Sequence, residues 1–84
     1  MAKVLLFGAL GDLAGWSERD IAAETLGALR GAVAGDDARL AERLAHASTL
    51  LILNDALLPA SQRRDDRPLA AGDEVAFGSP VSGG

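Results

Sequence analysis

Four short apolar runs and one more polar segment, the second in the chain, predict five β-strands. They are separated by stretches rich in glycine, proline and charged residues. The alternation of side chains along a strand places Val4 and Leu6 on one face of the first strand. It likewise places Val75 and Phe77 together on one face of the last. The second run is modest and is expected to pair with the first in a hairpin. The predicted strands span residues 3–7, 17–22, 49–53, 57–58 and 74–77.

A helical pattern lies between the second and third runs. Thr25 is a typical N-cap, and Gly35 is typical of the left-handed residue that ends a helix. The apolar face between them consists of Leu26, Leu29 and Val33. A shorter helix is expected after residues 36–37, and residues 9–16 predict a loop or a single helical turn. The pattern therefore predicts an α+β fold, in which one main helix covers one face of a small mixed sheet.

One face of the predicted sheet is left without a helix. The first strand is apolar on both faces, so we expect Leu5, Phe7 and Leu57 to stay partly exposed. An uncovered apolar patch on a small domain usually marks a docking surface for another protein. The alternative is that loops fold over these side chains, and the residues alone leave both possibilities open.

Composition narrows the classes of function. The 84 residues suffice for one domain, and a hydrophobic fraction of 49% with 24% charged residues is ordinary for a globular protein. A net charge of −4 argues against nucleic-acid binding, and no apolar stretch is long enough to span a membrane, so a cytoplasmic protein is expected. Because cysteine is absent, disulfides, thiolate nucleophiles and cysteine-ligated metals are excluded. We expect no metal site and no bound cofactor.

Two further features have ordinary explanations. His46 is the only histidine and has neither a second histidine nor a cysteine to share a metal, so a surface position is expected. The basic cluster Arg63, Arg64 and Arg67 is interleaved with two aspartates, which is more typical of a solvated loop than of a phosphate site.

The last two residues of the sequence are Gly83 and Gly84. Glycine has no Cβ, so such a segment can lie extended in a narrow channel without clashes. A terminal glycine carboxylate is also the group that an ATP-dependent activating enzyme needs if it is to adenylate a protein. We therefore predict a flexible C-terminal tail, residues 79–84, after a folded domain of residues 1–78. The alternative is an inert, frayed terminus.

Taken together, these segments resemble the ubiquitin-like, β-grasp sulfur carriers, and in particular the small subunits of molybdopterin synthase. The most specific match is the string P-L-x-x-G-D-E-V-A-F at residues 68–77, followed by P-V-S-G-G at residues 80–84. The chain departs from the family pattern at Gly11, where an arginine is usual. It departs again at Gly78 and Ser79, where a bulky apolar residue and a proline are usual.

The resemblance implies a mechanism. A ubiquitin-activating-like adenylyltransferase, using ATP and Mg²⁺, would adenylate the Gly84 carboxylate, and a persulfide donor would convert it to a thiocarboxylate. The loaded tail, including Gly83, would then enter the large subunit of molybdopterin synthase and give its sulfur to cyclic pyranopterin monophosphate, in a heterotetrameric assembly. The resemblance also implies the set of residues that would contact partners, which is Phe7, Leu57, Pro80, Val81 and Ser82. Catalytic side chains would belong to the partners.

Three other functions remain open from the sequence. A thiamine-pathway sulfur carrier has the same fold, although Phe77 and the spacing of residues 80–82 favour the molybdopterin type. A ubiquitin-like protein modifier is compatible with the tail, but Lys3 is the sole lysine, so chains linked through the protein's own lysines are improbable. A plain interaction domain with an inert tail is the third.

Overall fold

The computed structural model of the chain describes residues 1–79; the tail residues 80–84 lie outside the described part. None of its helices is long and apolar enough to cross a membrane within that part of the chain. A 3₁₀ turn, Ala60–Gln62, follows the fourth strand. In chain order, the strands and α-helices are β1 (Ala2–Phe7), α1 (Ala9–Ala14), β2 (Glu18–Ile21), α2 (Leu26–Ala34), α3 (Ala38–Ala45), β3 (Leu50–Leu53), β4 (Ala56–Leu57) and β5 (Glu74–Gly78).

The five strands form one mixed sheet in the order β2-β1-β5-β3-β4. β1 and β5 are parallel, and the other neighbouring pairs are antiparallel. The predicted hairpin of β1 and β2 is confirmed. In the register of the parallel pair, Val4 lies opposite Val75 and Leu6 lies opposite Phe77. The first and last strands of the chain therefore lie side by side at the centre of the sheet.

The core lies between the helices and one face of this sheet. Its centre is Phe77, which is completely buried. The side chains of β1, β3 and β5 on that face alternate with residues of the opposite face, as the sequence predicts for β1 and β5. The core side chains from these strands and the helices include Val4, Leu6, Leu10, Leu26, Leu29, Val33, Leu40, Leu44, Leu51, Val75 and Phe77.

The prediction of an α+β fold with a mixed sheet is confirmed, but helix α2 does not cover the sheet alone. Segment 9–14, expected as a loop or one turn, is helix α1, which buries Leu10 and contacts β1, β5 and α3. Asp37 is the N-cap of helix α3, and its carboxylate accepts hydrogen bonds from two backbone N–H groups. The helix buries two leucines. Gly35 has a positive φ of 56° as expected, but its ψ of −125° lies outside the left-handed helical region.

The backbone N–H groups of the first three residues of helix α2 all have hydrogen-bond acceptors. The Thr25 hydroxyl accepts from the N–H of Ala28 at 3.1 Å, which confirms the predicted N-cap. The N–H groups of Leu26 and Gly27 donate, at 2.9 Å each, to the carbonyls of Arg67 and Asp65 in the loop that precedes β5. The first N–H groups of a helix have no partner within the helix, so this loop replaces water as their acceptor. The contact joins the loop to the helix.

Gly27 is required by this contact. A Cβ at position 27 would lie 2.8 Å from the Asp65 Cβ and 3.0 Å from its carbonyl oxygen. We expect Gly27→Ala to lower the free energy of unfolding by about 1–2 kcal/mol, because the clash outweighs the better helix propensity of alanine. Urea unfolding followed by circular dichroism measures it. Gly31→Ala is the matched control: position 31 lies in the same helix with open space around it, so it should gain about 0.5–1 kcal/mol. Equal changes in the free energy of unfolding at both positions would contradict the requirement for glycine at position 27.

Candidate functional site at the open face of the sheet

The face of the sheet that the helices leave uncovered carries an apolar patch. Alternation places these residues opposite the core, and the strand pairing arranges them in two rows across four strands. One row runs across β1, β5, β3 and β4 and consists of Leu5, Ala76, Ile52 and Leu57. The second runs across β1, β5 and β3 and consists of Phe7, Gly78 and Leu50. We refer to these two rows as the apolar patch.

The large side chains of the apolar patch are exposed. Phe7 is 53% exposed, Leu57 62% and Leu50 39%. Among residues 1–79, the other large exposed hydrophobic residue is Met1, so three of four lie on this one surface. Loops do not cover Phe7 and Leu57, and their expected exposure is confirmed. Their contact with a partner stays a prediction.

Leu50 was not predicted as part of this surface. Residues 50–53 are all apolar, so no alternation in the sequence shows which of them face the core. The pairing with β5 decides it, because Leu51 lies opposite the buried Phe77 and Leu50 lies opposite Gly78. The signal is therefore the register of β3 against β5, which the sequence pattern does not contain.

The other end of the same face is acidic. Glu18 and Asp20 of β2 lie opposite Leu5 and Lys3 of β1, and Glu74 of β5 lies opposite Lys3 on its other side. The Lys3 ammonium lies 3.6 Å from the Glu18 carboxylate, with both side chains about half exposed. One ammonium thus stands among three carboxylates. A partner that covers the whole face should carry basic groups at this end.

The tail leaves the domain at the apolar patch. Strand β5 ends at Gly78, between Phe7 and Leu50, and Ser79 follows directly. Of the residues expected to act in sulfur transfer or partner contact, the tail set Pro80, Val81, Ser82, Gly83 and Gly84 lies outside the described part of the chain. The two candidate features, the apolar patch and the tail, therefore meet at one point, because the apolar patch borders the residue from which the tail starts.

A hydrogen-bonded clamp fixes the start of β5. The β3–β4 turn has positive φ at Asn54 (49°) and Asp55 (69°), as in the tight hairpin turns that favour these residues. The side-chain oxygen of Asn54 accepts from the N–H of Glu74 at 2.9 Å, and its amide donates to the Asp73 carboxylate at 3.0 Å. The other Asp73 oxygen accepts from the N–H of Ala70 at 2.8 Å. The clamp holds in place the strand that delivers the tail.

These contacts predict an acid-sensitive contribution to stability. The hydrogen bond from Asn54, then that from the Ala70 N–H and the charge of Arg67, hold the pKa of Asp73 below its usual value. A lowered folded-state pKa means that the ionised form stabilises the fold above the unfolded-state value of about 3.9, and that this contribution is lost as the pH falls through the folded-state value. We expect the stability advantage of the wild type over Asp73→Asn to be constant near neutral pH and to shrink below about pH 3.9.

Urea unfolding of the two proteins across this pH range measures the effect. Asp36→Asn, which makes the same change in net charge at an exposed position, is the control. A wild-type advantage that stays constant into acid would contradict the role of the Asp73 carboxylate.

Comparisons with known proteins agree with this architecture. The ThiS family profile matches residues 4–84, nearly the whole sequence. The chain belongs to the ThiS family. It is also 38% identical over 86 aligned positions, covering all of both chains, to the molybdopterin synthase sulfur carrier subunit of Escherichia coli K12. The resemblance drawn from the sequence is thereby confirmed.

Solved structures show the same fold at lower identity. The solution structure of small archaeal modifier protein 1 from Methanosarcina acetivorans matches with a TM-score of 0.81 at 21% identity, over 99% of this chain and 95% of that one. Subunits 1 and 2 of the molybdopterin-converting factor of Helicobacter pylori were solved as a complex; the matching chain has a TM-score of 0.65 at 24% identity, over 99% of this chain and 97% of that one. These likenesses confirm the ubiquitin-like β-grasp fold of this ThiS-family chain.

The basic cluster of this ThiS-family chain is more structural than expected. Arg63 is half-buried; its guanidinium donates to the carbonyl of Leu58 at 2.8 Å and to that of Thr49. Arg30 of helix α2 forms an ion pair with Asp65 in the same loop. Only Arg64, which is exposed and paired with Asp66, fits the picture of a solvated loop. Arg63 therefore ties the loop to the ends of two strands, and Arg30 ties it to helix α2. The Arg67 side chain donates to the carbonyl of Gln62 within the loop, at 3.4 Å.

His46 lies on the surface, as predicted, at the end of helix α3. Its Nδ1 lies 2.7 Å from the hydroxyl of Ser48 and accepts from the backbone N–H of the same residue at 3.0 Å. The sequence spacing did not suggest this pair. Both residues are exposed, and the double contact with one residue is that of a turn following a helix. No group of three or more histidine, cysteine or acidic residues within the described residues could hold a metal ion.

Proposed function

We propose that this chain is a sulfur carrier subunit of molybdopterin synthase, which carries sulfur as a thiocarboxylate on Gly84. The observation that carries the proposal is the 38% identity with the Escherichia coli sulfur carrier subunit, which extends over both chains in full. The family match also includes the terminal glycines. The position of the tail supports it further, because β5 delivers residue 79 directly beside an exposed apolar surface.

In the proposed reaction, an adenylyltransferase of the ubiquitin-activating type uses ATP and Mg²⁺. A Gly84 carboxylate oxygen attacks the α-phosphorus of ATP, and pyrophosphate leaves. The terminal sulfur of a persulfide then attacks the acyl carbon, and AMP leaves because it is a better leaving group than oxide. Cleavage of the remaining S–S bond by a thiol frees the Gly84 thiocarboxylate. Two such carriers supply the two sulfurs that the cyclic pyranopterin receives.

In this proposal the chain itself contributes a reactive C-terminus attached to a stable folded domain. Because the chain has no cysteine, its side chains offer no thiol that could hold a transferable sulfur, whereas the terminal carbonyl can. In this proposal the chain binds no cofactor, and the catalytic side chains lie on the partners. Six residues from Ser79 can extend by about 20 Å, enough to reach a buried active site in a second protein.

The proposed docking partner is the large synthase subunit. The Helicobacter pylori complex of subunits 1 and 2 shows that a protein of this fold assembles with a second subunit. In this chain we assign the contact to the apolar patch, with Phe7 and Leu57 as its most exposed side chains, and to tail residues Pro80, Val81 and Ser82. The acidic end of the face would then meet basic groups of the large subunit.

Mass spectrometry of the chain purified from its own host tests the proposal. The expected species is heavier by the mass difference between one sulfur and one oxygen atom, and the change maps to the C-terminal peptide. Iodoacetamide provides a second readout, because a cysteine-free chain should be alkylated at thiol-type sulfur only if it carries a thiocarboxylate. An unmodified chain in cells that make the cofactor would contradict the proposal.

Mass spectrometry and a sulfur-transfer assay together separate the alternatives. An isopeptide adduct between Gly84 and a lysine of another protein would identify a modifier. Sulfur transfer from the loaded chain to a thiazole-forming enzyme, but not to cyclic pyranopterin with the large subunit, would identify a thiamine-pathway carrier.

A further inference from the structure

The apolar patch contains a notch at Gly78. This residue lies between Phe7 on β1 and Leu50 on β3, whose side chains are 53% and 39% exposed. A Cβ at position 78 would lie 3.9 Å from the Phe7 Cβ and 4.0 Å from the Leu50 Cβ, which is ordinary van der Waals contact. The φ of Gly78 is not positive, so the backbone does not require glycine. The notch is therefore space that a side chain could fill.

The position of the notch identifies what lies against it in the assembly. This step rests on the proposed function: a partner that takes in the tail must lie against the surface where the tail begins. Gly78 is the residue immediately before Ser79, so it lies at that point. The centre of a stable interface is packed as densely as a protein interior. A gap between two large exposed apolar side chains at such a place would leave both of them with unfilled contacts.

We propose that the Gly78 notch is a binding subsite that accepts one apolar side chain projecting from the large synthase subunit. Phe7 and Leu50 form its walls, and the Gly78 backbone forms its floor. Both walls are hydrocarbon, so the inserted group is aliphatic, thioether or aromatic. The acidic end of the sheet face, at Glu18, Asp20 and Glu74, fixes the orientation of the partner about this contact.

Isothermal titration of the large subunit from the same organism with wild-type and variant chains tests this proposal. Gly78→Leu fills the notch from within and is expected to weaken binding by at least about tenfold, because the partner's side chain no longer fits. Gly78→Ala fills less of it and should have a smaller effect. Phe7→Ala removes one wall and should also weaken binding. Gly31→Leu adds the same side chain on the exposed surface of helix α2 and should bind like the wild type.

A compensating truncation on the large subunit distinguishes a filled notch from an interface that the Gly78→Leu substitution has merely damaged. Apolar residues on the large subunit's facing surface are truncated to alanine one at a time. One truncation is expected to weaken binding of the wild-type chain and to restore binding of Gly78→Leu. Circular dichroism and the unfolding temperature of Gly78→Leu should match those of the wild type, since a Cβ at position 78 meets no clash and the position lies on the open face of the sheet.

Three outcomes would contradict the subsite, and each has a different consequence for the proposed function. If Gly78→Leu binds as tightly as the wild type or tighter, the notch is not a subsite, although sulfur carriage stands. If the wild type does not bind the large subunit at all, the subsite falls together with the assigned docking, while thiocarboxylate formation is judged separately by mass spectrometry. If truncation after Ser79 shifts the NMR signals of Phe7 and Leu50 in the free chain, the chain's own tail occupies the notch and the proposal is wrong.

Discussion

Deletion of Gly84 is expected to abolish sulfur transfer while leaving the fold unchanged. In the proposed mechanism the terminal carboxylate is the reacting group, so deletion moves the reacting carbon back along the tail by one residue, about 3.5 Å. A displacement of even about 1 Å from a productive geometry can cost a factor on the order of 100 in rate. The reacting carbon would therefore lie outside reach of the adenylating and sulfur-accepting groups. Addition of one alanine after Gly84 should also abolish sulfur transfer, because it displaces the reacting carbon by one residue in the opposite direction.

The assay is molybdopterin formation from cyclic pyranopterin with purified large subunit, adenylyltransferase, ATP, Mg²⁺ and a persulfide donor. Urea unfolding checks that the deletion has not altered the domain. Addition of one residue before Met1 changes the length of the chain equally and is the matched control; it should retain activity. Normal molybdopterin production by the chain that lacks Gly84 would exclude the thiocarboxylate mechanism.

Much of the fold was accessible from the sequence because its determinants are local. The alternation in residues 3–7 and 74–77 identified the buried faces of β1 and β5, and the pair Thr25 and Gly35 bounded helix α2 to the residue. The positive φ values of Asn54 and Asp55 agree with a tight turn between the predicted strands at residues 49–53 and 57–58. In each of these segments, a preference of a few neighbouring residues is enough to determine the backbone. The parallel pairing of β1 with β5 has no signal in this alternation and follows only from the β-grasp fold that the family resemblance implies.

What the sequence did not show depends on contacts between distant residues. Gly27 is needed because Asp65, 38 positions later, lies against helix α2. Arg63 was placed in a solvated loop because charged neighbours surround it in sequence, yet its partners are carbonyls of residues 49 and 58. Leu50 entered the apolar patch through the register of β3 against β5. None of these three contacts has a local signature, since each depends on how the loop and strands meet in space.

The candidate site likewise has one part that the sequence could predict and one part that it could not. Phe7 and Leu57 could be placed on the open face from local alternation and from the family resemblance, and the structure finds both exposed. The notch could not be predicted from the sequence, because its walls come from two strands that are 43 residues apart and meet only across β5. The glycine itself was visible as a departure from the family pattern. Its meaning depends on the two side chains beside it.

Phe77→Ala is expected to destabilise the domain more than any substitution on the open face. Phe77 is completely buried at the centre of the sheet, between Leu6 of β1 and Leu51 of β3. Truncation of such a side chain typically costs about 3–5 kcal/mol, because transfer energy is lost and a cavity remains. That is a large share of the ~5–15 kcal/mol by which domains are usually stable. The same strand delivers the tail, so its loosening should also reduce sulfur transfer.

Phe7→Ala is the matched control, since it makes the same chemical change on the adjacent strand but on the opposite face. Phe7 is 53% exposed, so its truncation should lower the free energy of unfolding by less than about 1 kcal/mol while weakening binding to the large subunit. Urea unfolding followed by circular dichroism and by the fluorescence of Trp16, the single tryptophan, measures both variants with two probes. Equal destabilisation by the two substitutions, with unchanged binding by Phe7→Ala, would make Phe7 a core residue and remove the docking face.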